Sequence, residues 1–318
     1  MRVFRTTKIP QEYTNSTIAI GNFDGVHQGH QAVINMAKKN SKTKNTKFGV
    51  LTFEPHPKCY FNKQYDYFRL TPFREKFEIF KLAKIDFLIN IKFDHTFLNK
   101  TAISFIEIDL IKNLRVNTVV TGFDFVFGNK KMGNVKYIND YVNKTKAFNF
   151  IVVPEVRNSD NVEISSSNIR ALLKKGDLDQ ANDLLTRKWS IRGNIQKGEK
   201  KARQIGFRTA NIKTNKFCQI RRGVYSVILK IPKKFGEKKL FGIANFGIKP
   251  TFNKTNPLLE VHIFNFENDI YHERIKVTFY KFIREEKKFE SVEKLKDQII
   301  KDINQVKNDK LFKNNQSS

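Results

Sequence analysis

TIAIGNFDGVHQGH, residues 17–30, decides how the rest of the chain is read. Ile18, Ala19 and Ile20 form a short, partly β-branched apolar run, the pattern of a strand buried on both faces of a parallel sheet. Gly21 and Gly25 let the chain turn tightly behind it. Val33, Ile34 and Ala37 then recur at three- and four-residue spacing, which predicts a helix from about His27 or Gln28. His27 and His30 share one face of its first turn, beside the free N–H groups and positive dipole end of the helix. Gly29, between them, leaves room for a ligand to approach the backbone. Such a turn suits phosphate. It is not a Walker A loop, since no Gly-Lys-Ser/Thr follows, and the helix carries no His-Glu-x-x-His zinc pattern. Two histidines at this spacing are on their own more often surface residues than a site, but the complete string is more specific.

GNFDGVHQGH resembles the adenylyltransferase signature of the prokaryotic bifunctional riboflavin kinase/FAD synthetase family. The downstream chain bears on that resemblance piece by piece. KFGVLTF (residues 47–53) reads as a second strand, ended by Glu54-Pro55-His56-Pro57. Thr71 is expected to cap a helix with Pro72 at its first position, carried on by Phe73, Phe77 and Phe80. Strands are expected at 87–91, 118–121 and 150–153, with a helix at 102–113. Alternating strands and helices predict an α/β, Rossmann-like parallel sheet with helices on both faces and the ligand at the carboxyl ends of the strands. TGFDFVFGNKKMGN (121–134) alone is an ordinary polar loop; it resembles the family's Gly-x-Asp-Phe-x-Phe-Gly segment, which holds the flavin nucleotide. Ser165, Ser166 and Ser167 sit at the expected cap of a short helix ending at Gly176. The stretch from Ile164 to Arg170 matches the family's Ile-Ser-Ser-Thr-x-Ile-Arg, with Ser167 in place of threonine.

From Trp189 the cadence changes to short strands between glycine turns, which predicts a small antiparallel β-barrel. Gly206 to Asn211 resembles the riboflavin kinase Gly-x-Pro-Thr-Ala-Asn motif, and Asn245 to Phe252 its Asn-x-Gly-x-x-Pro-Thr-Phe loop. In LEVHI, alternation puts Glu260 and His262 on one face and Val261 and Ile263 on the other, which leaves open whether Glu260 points inward or to solvent. Two departures stand out: Arg208 replaces the motif's proline, and Ala202 stands where the preceding loop has glycine. Ser291 is expected to cap a last helix whose stripe of Val292, Leu295, Ile299, Ile303 and Val306 packs on the barrel. The expected division is a nucleotidyltransferase domain over 1–186, a barrel with its C-terminal helix over 187–309, and a disordered tail over 310–318.

A length of 318 residues suffices for two domains with their own cores. Cys59 and Cys218 have no Cys-x-x-Cys partner, so they imply a reducing compartment or two buried thiols. The net charge of +28 would favour any polyanion. The lysines are spread over both halves and read as compositional bias rather than as a nucleic-acid footprint. No apolar run approaches a membrane span and no signal-peptide core is present, so a cytoplasmic protein with no membrane partner is expected.

The resemblance implies two activities: ATP-dependent phosphorylation of riboflavin to FMN by the barrel, and adenylylation of FMN to FAD by the first domain. It implies Mg2+, and it implies ATP, riboflavin, FMN and FAD as substrates and products. It assigns catalysis to His27, His30 and Glu260. ATP would be bound by Gly21, Phe23, Asp24, Gly25, His27, His30, Ser165, Ser166, Arg170, Thr209 and Asn211, and flavin by His56, Asp124 and Phe125. Thr209 and Asn211 would hold the metal. Two alternatives stay open, an FAD synthetase with an impaired barrel and a basic RNA-binding module on a degenerate scaffold. Nucleic acid is not the expected partner, and oligomerisation is left open.

Overall fold

The computed structural model describes residues 1–63, 66–158, 161–196, 206–248, 257–309 and 312. They form two compact units, residues 1–166 and 167–318.

The first unit is built on six parallel strands: β1 (Arg2–Phe4), β2 (Thr17–Ile20), β3 (Phe48–Glu54), β4 (Phe87–Lys92), β5 (Thr118–Gly122) and β8 (Asn149–Val153). Their order is β1-β4-β3-β2-β5-β8. Alternate residues of each strand feed two apolar clusters. Ile18, Leu51, Ile89 and Val119 lie in one, and Ala19, Val50, Leu88 and Val120 in the other. Burial on both faces explains the nearly unbroken apolar runs that marked these strands in the sequence. The chain runs from β2 outward through β3 and β4, then returns to the opposite side of β2 with β5. The carboxyl ends of β2 and β5 therefore form the switch point where an open α/β sheet takes its ligand. Between the strands lie α1 (Gln28–Thr43), α2 (Pro57–Asn62), α3 (Phe73–Leu82), α4 (His95–Leu98), α5 (Ala102–Ser104) and α6 (Val135–Thr145). A two-stranded ribbon, β6 (Val126–Phe127) with β7 (Gly133–Asn134), follows β5.

Three details differ from the sequence reading. β1 is a sixth strand, too short for its periodicity to register. The expected helix at 102–113 is one turn of α-helix continued by a π-helix over Phe105–Asn113. Thr71 does not cap α3, whose N-cap is Pro72 without a side-chain bond; its hydroxyl is engaged elsewhere.

The second unit opens with α7 (Ser166–Lys175) and α8 (Leu178–Leu185) and continues as a closed barrel. Its strands are β9 (Ser190–Gln196), β10 (Thr209–Lys213), β11 (Gly223–Lys230), β12 (Leu240–Ile248), β13 (Pro257–Ile263) and β14 (Arg274–Arg284), with the short α9 (Pro232–Phe235) after β11. The order β10-β13-β12-β11-β14-β9 is antiparallel throughout. Trp189, 1% exposed, packs on Phe217 and Phe279 in this core. The last helix, α10 (Val292–Asn308), is capped by Ser291 as expected. Ile303 and Val306 are buried against the barrel, whereas Val292 is 56% exposed and stays out of the contact. Of the expected tail only Phe312 is described, and it is buried against Phe241 and Tyr280; residues 310, 311 and 313–318 lie outside the described residues.

α10 is also tied to β14 by charge. Asp302, 2% exposed, accepts from Arg284 Nε and Nη2 at 2.9 and 2.7 Å, and from Gln298 Nε2 at 2.9 Å. Removing one partner of a buried pair strands the other. Asp302→Ala is therefore expected to lower barrel stability by about 3–5 kcal/mol, measured by urea unfolding followed through Trp189, the chain's only tryptophan.

Candidate active sites

α1 starts where the spacing predicted, with His27 as its N-cap. The His27 and His30 rings stack at 3.7 Å between centroids, 26° from parallel. Phe23 meets His30 edge-on at 5.3 Å and Phe80 at 5.7 Å, so its buried ring supports the imidazole. Its ring lies where a Cβ on Gly21 would stand, at 3.2 Å. At Gly29 an added Cβ would meet the His27 ring at 3.3 Å, so the missing side chain also gives that ring its place. The turn itself is held in a left-handed backbone, with φ of 51° at Phe23, 91° at Gly25 and 44° at Val26. Only glycine adopts such angles without cost, so Phe23 and Val26 need the surroundings to hold them.

Those surroundings come from residues 69–76. Asp24, 2% exposed, accepts from the backbone N–H groups of Leu70 (3.2 Å) and Thr71 (3.0 Å). Gly25 N–H donates to Thr71 Oγ1 at 2.7 Å, and Lys76 Nζ donates to the Asn22 carbonyl at 2.9 Å. Ser166 Oγ, at the end of the first unit, donates to the Asp24 carbonyl of the same turn at 2.8 Å. Asp24, expected among the ATP ligands, thus spends its carboxylate on backbone amides inside the fold. Arg170 is the fifth residue of α7, one turn in rather than in the first turn, and is half-buried.

The expected flavin residues follow the strands on either side of β2. His56, after β3, caps α2: its Nδ1 accepts from Lys58 N–H at 3.1 Å and its ring lies 5.2 Å from Phe68. Asp124 is exposed after β5, and Phe125 stacks on Phe127 at 5.3 Å. Gly128, at φ 72°, must be glycine, because a Cβ would stand 2.7 Å from the Ala102 amide nitrogen. The carboxyl edge of β3, β2 and β5 thus gathers His56, the braced turn and Asp124 in sheet order.

In the barrel, strand register assembles a second row. Glu260 on β13 is the register partner of Asn211 on β10 and of Asn245 on β12. Leu259, Val261 and Ile263 are buried on one face of β13, while Glu260 and His262 lie half-buried on the other. Asn211 is buried, and its Oδ1 has no hydrogen-bond partner among the described residues. Thr209, two residues earlier on the same face, pairs in register with His262. His262 Nδ1 lies 2.9 Å from the Arg208 carbonyl, and Arg208 Nη1 donates to the Glu267 carbonyl at 3.0 Å. Burial lowers the His262 pKa. Ala202 and residues 249–252 of the Asn245 loop lie outside the described residues.

Sequence reasoning missed the brace. Lys76 falls at the core-facing position of the stripe Phe73, Phe77 and Phe80, and a lysine there was the available signal. Among the described residues no helix is long and apolar enough to cross a membrane.

Comparison with known proteins covers both units. Residues 9–168 match the FAD synthetase family and residues 185–309 the riboflavin kinase family. A bifunctional riboflavin kinase/FMN adenylyltransferase of Buchnera aphidicola subsp. Schizaphis graminum is 39% identical, over 92% of this chain and 94% of its own. One from Haemophilus influenzae is 40% identical, over 91% and 92%. A Streptococcus pneumoniae crystal structure described as a macrolide-efflux protein is similar at a TM-score of 0.82 and 28% identity, covering 96% of this chain and 98% of that one.

Thr71→Val keeps the shape of the brace but removes the acceptor of the Gly25 amide. A buried donor deprived of its acceptor costs about 1–3 kcal/mol. Native-state hydrogen exchange at Gly25 is expected to quicken about tenfold or more, while the barrel amides keep their protection.

Proposed function

The chain belongs to the bifunctional riboflavin kinase/FMN adenylyltransferase family, and from that premise we propose which of its side chains carry each reaction. It makes FAD from riboflavin in two ATP-dependent steps. The second unit transfers the γ-phosphoryl of ATP to riboflavin, and the first transfers AMP from a second ATP to FMN, releasing pyrophosphate.

In adenylyl transfer an FMN phosphate oxygen attacks the α-phosphorus of ATP, and the bond from that phosphorus to the bridging oxygen breaks. No covalent protein intermediate is required. Catalysis consists of alignment and of neutralising charge on the phosphate oxygens. His27, His30 and the positive dipole end of α1 are the groups for that role, and the stacked imidazoles above a braced turn are the observation that carries the reading. Ser165 and Arg170 are proposed as further phosphate ligands on the family motif alone. Asp124 and Phe125 are proposed for the flavin. His56, occupied as a cap, would offer its ring face and Nε2.

In the barrel, Glu260 is proposed to accept the proton of the riboflavin hydroxyl as it attacks the γ-phosphorus and ADP departs. The buried Asn211 Oδ1 fits a hard cation, so Asn211 and Thr209 are proposed to hold Mg2+. When bound, the ion would neutralise charge on the ATP phosphates. Cytoplasmic location is proposed from the substrates, all of which are cytoplasmic in kind.

Two variants separate the steps when flavins formed from riboflavin or FMN with magnesium-ATP are resolved chromatographically. His30→Ala is expected to cut FAD formation from FMN about a hundredfold, the scale of losing one charge-stabilising group, with riboflavin phosphorylation retained. Glu260→Gln is expected to cut FMN formation about 100- to 10,000-fold and leave FAD formation from FMN intact. Wild-type rates in either variant would remove that residue from the mechanism.

A further inference from the structure

Lys76 is 2% exposed, yet it lies in the first turn of α3, where the helix dipole disfavours a cation. Burying an ammonium is costly unless its donors are used. Lys76 Nζ donates to the Asn22 carbonyl at 2.9 Å and to Thr52 Oγ1 at 3.1 Å, while Thr52 Oγ1 also lies 3.2 Å from the Asn22 carbonyl. The three groups close a ring joining α3, β3 and the last peptide before the left-handed turn. Asn90 stands opposite Thr52 in register on β4 and is 1% exposed, and neither its amide nitrogen nor its oxygen has a partner among the described residues. The contact that Lys76 makes with this turn depends on a proton that can leave near neutral pH.

We propose that the Lys76 ammonium is a positioning residue for adenylyl transfer: by clamping the Asn22 carbonyl to β3 it fixes the turn from which His27 and His30 depart, and FAD formation depends on its charge. This rests on the assignment of His27 and His30 to that reaction. Lys76 does not touch the imidazoles. It acts through Asn22 and Phe23, whose ring supports His30.

The charged groups facing Lys76 are Glu54 on β3, Arg69 before α3, and Asp24 in the turn. Burial, helped by Arg69, lowers its pKa to about 8 against the opposing pull of Glu54 and Asp24. The signs for stability and activity then differ. A lysine with a depressed folded pKa makes the unfolded chain bind more protons above that value. Its contribution to stability therefore rises as pH climbs from the folded toward the unfolded pKa. Adenylyl transfer should fall over the same range as the clamp loses its charge. A merely structural lysine would not make activity and stability diverge.

The test measures initial rates of FAD formation from FMN and magnesium-ATP between pH 6.5 and 9.5, with stability followed in parallel. The wild type is expected to lose kcat with a midpoint within about one unit of pH 8, without a matching loss of stability. Lys76→Met is expected to lower kcat about ten- to a hundredfold at neutral pH, the scale of a misplaced reacting group, with KM little changed and the alkaline fall gone. Thr52→Val removes one acceptor from the charged form, and its midpoint should move to lower pH. Wild-type kcat in Lys76→Met, or an alkaline fall that persists in it, would overturn the proposal. If Lys76→Met fails to fold by circular dichroism, Thr52→Val decides, and an unmoved midpoint overturns it. His30→Ala at the wild-type rate would instead sink the site assignment.

Discussion

A carboxylate that is 2% exposed has to be paired, and Asp24 accepts from two backbone amides with the charges of Arg69 and Lys76 acting on it. Charge-assisted bonds of this kind are stronger than neutral ones, and they fix backbone to backbone. The consequence is that the turn after β2 and the segment entering α3 behave as one piece. Thr71 then reaches Gly25 and Lys76 reaches Asn22. The left-handed angles at Phe23 and Val26 are tolerated because the surroundings leave the turn no other arrangement. His27 and His30, whose rings stack at 3.7 Å, follow directly from that turn at the start of α1.

The two active regions are stabilised by different means. In the first unit the proposed reacting groups lie on connections beyond the strand ends, so rigidity is imported through side chains. In the barrel Asn211, Glu260 and Asn245 lie within the strands, and the hydrogen-bond ladder sets their spacing. Closure removes the free edges that would let such a row splay.

Much of this was legible in the chain because it rests on local signals. The strands at 47–53, 87–91 and 118–121 announced themselves by apolar runs, and α1 by its spacing. Glu260 and His262 shared a face because strand alternation leaves no choice. What escaped notice was long-range. Nothing near Thr71 says that its hydroxyl serves Gly25, forty-six positions earlier. Nor does anything near Asp24 say that its carboxylate meets the amides of Leu70 and Thr71, far along the chain. The missing side chain of Gly29 gives the His27 ring its place, which composition does not announce. β1 and β10 were too short or too polar for periodicity to reveal.

Arg208 shows how a departure from a motif is absorbed. A proline at this position would restrict the backbone through its ring. Here the same stretch is held from two sides, by His262 Nδ1 at the Arg208 carbonyl and by the Arg208 guanidinium at the Glu267 carbonyl. His262 is two residues from Glu260 on the same strand face, so the strand bearing the proposed base also holds the turn leading to Thr209. A bond to a carbonyl requires Nδ1 to carry its hydrogen, and it carries one in the neutral tautomer and in the imidazolium alike. Burial keeps the ring neutral on the alkaline side, so that tie persists there unchanged, whereas the Lys76 clamp does not. The pH dependence of the complete route from riboflavin to FAD should accordingly be set on its alkaline side by the first unit, with the barrel's turn holding its geometry through the same range.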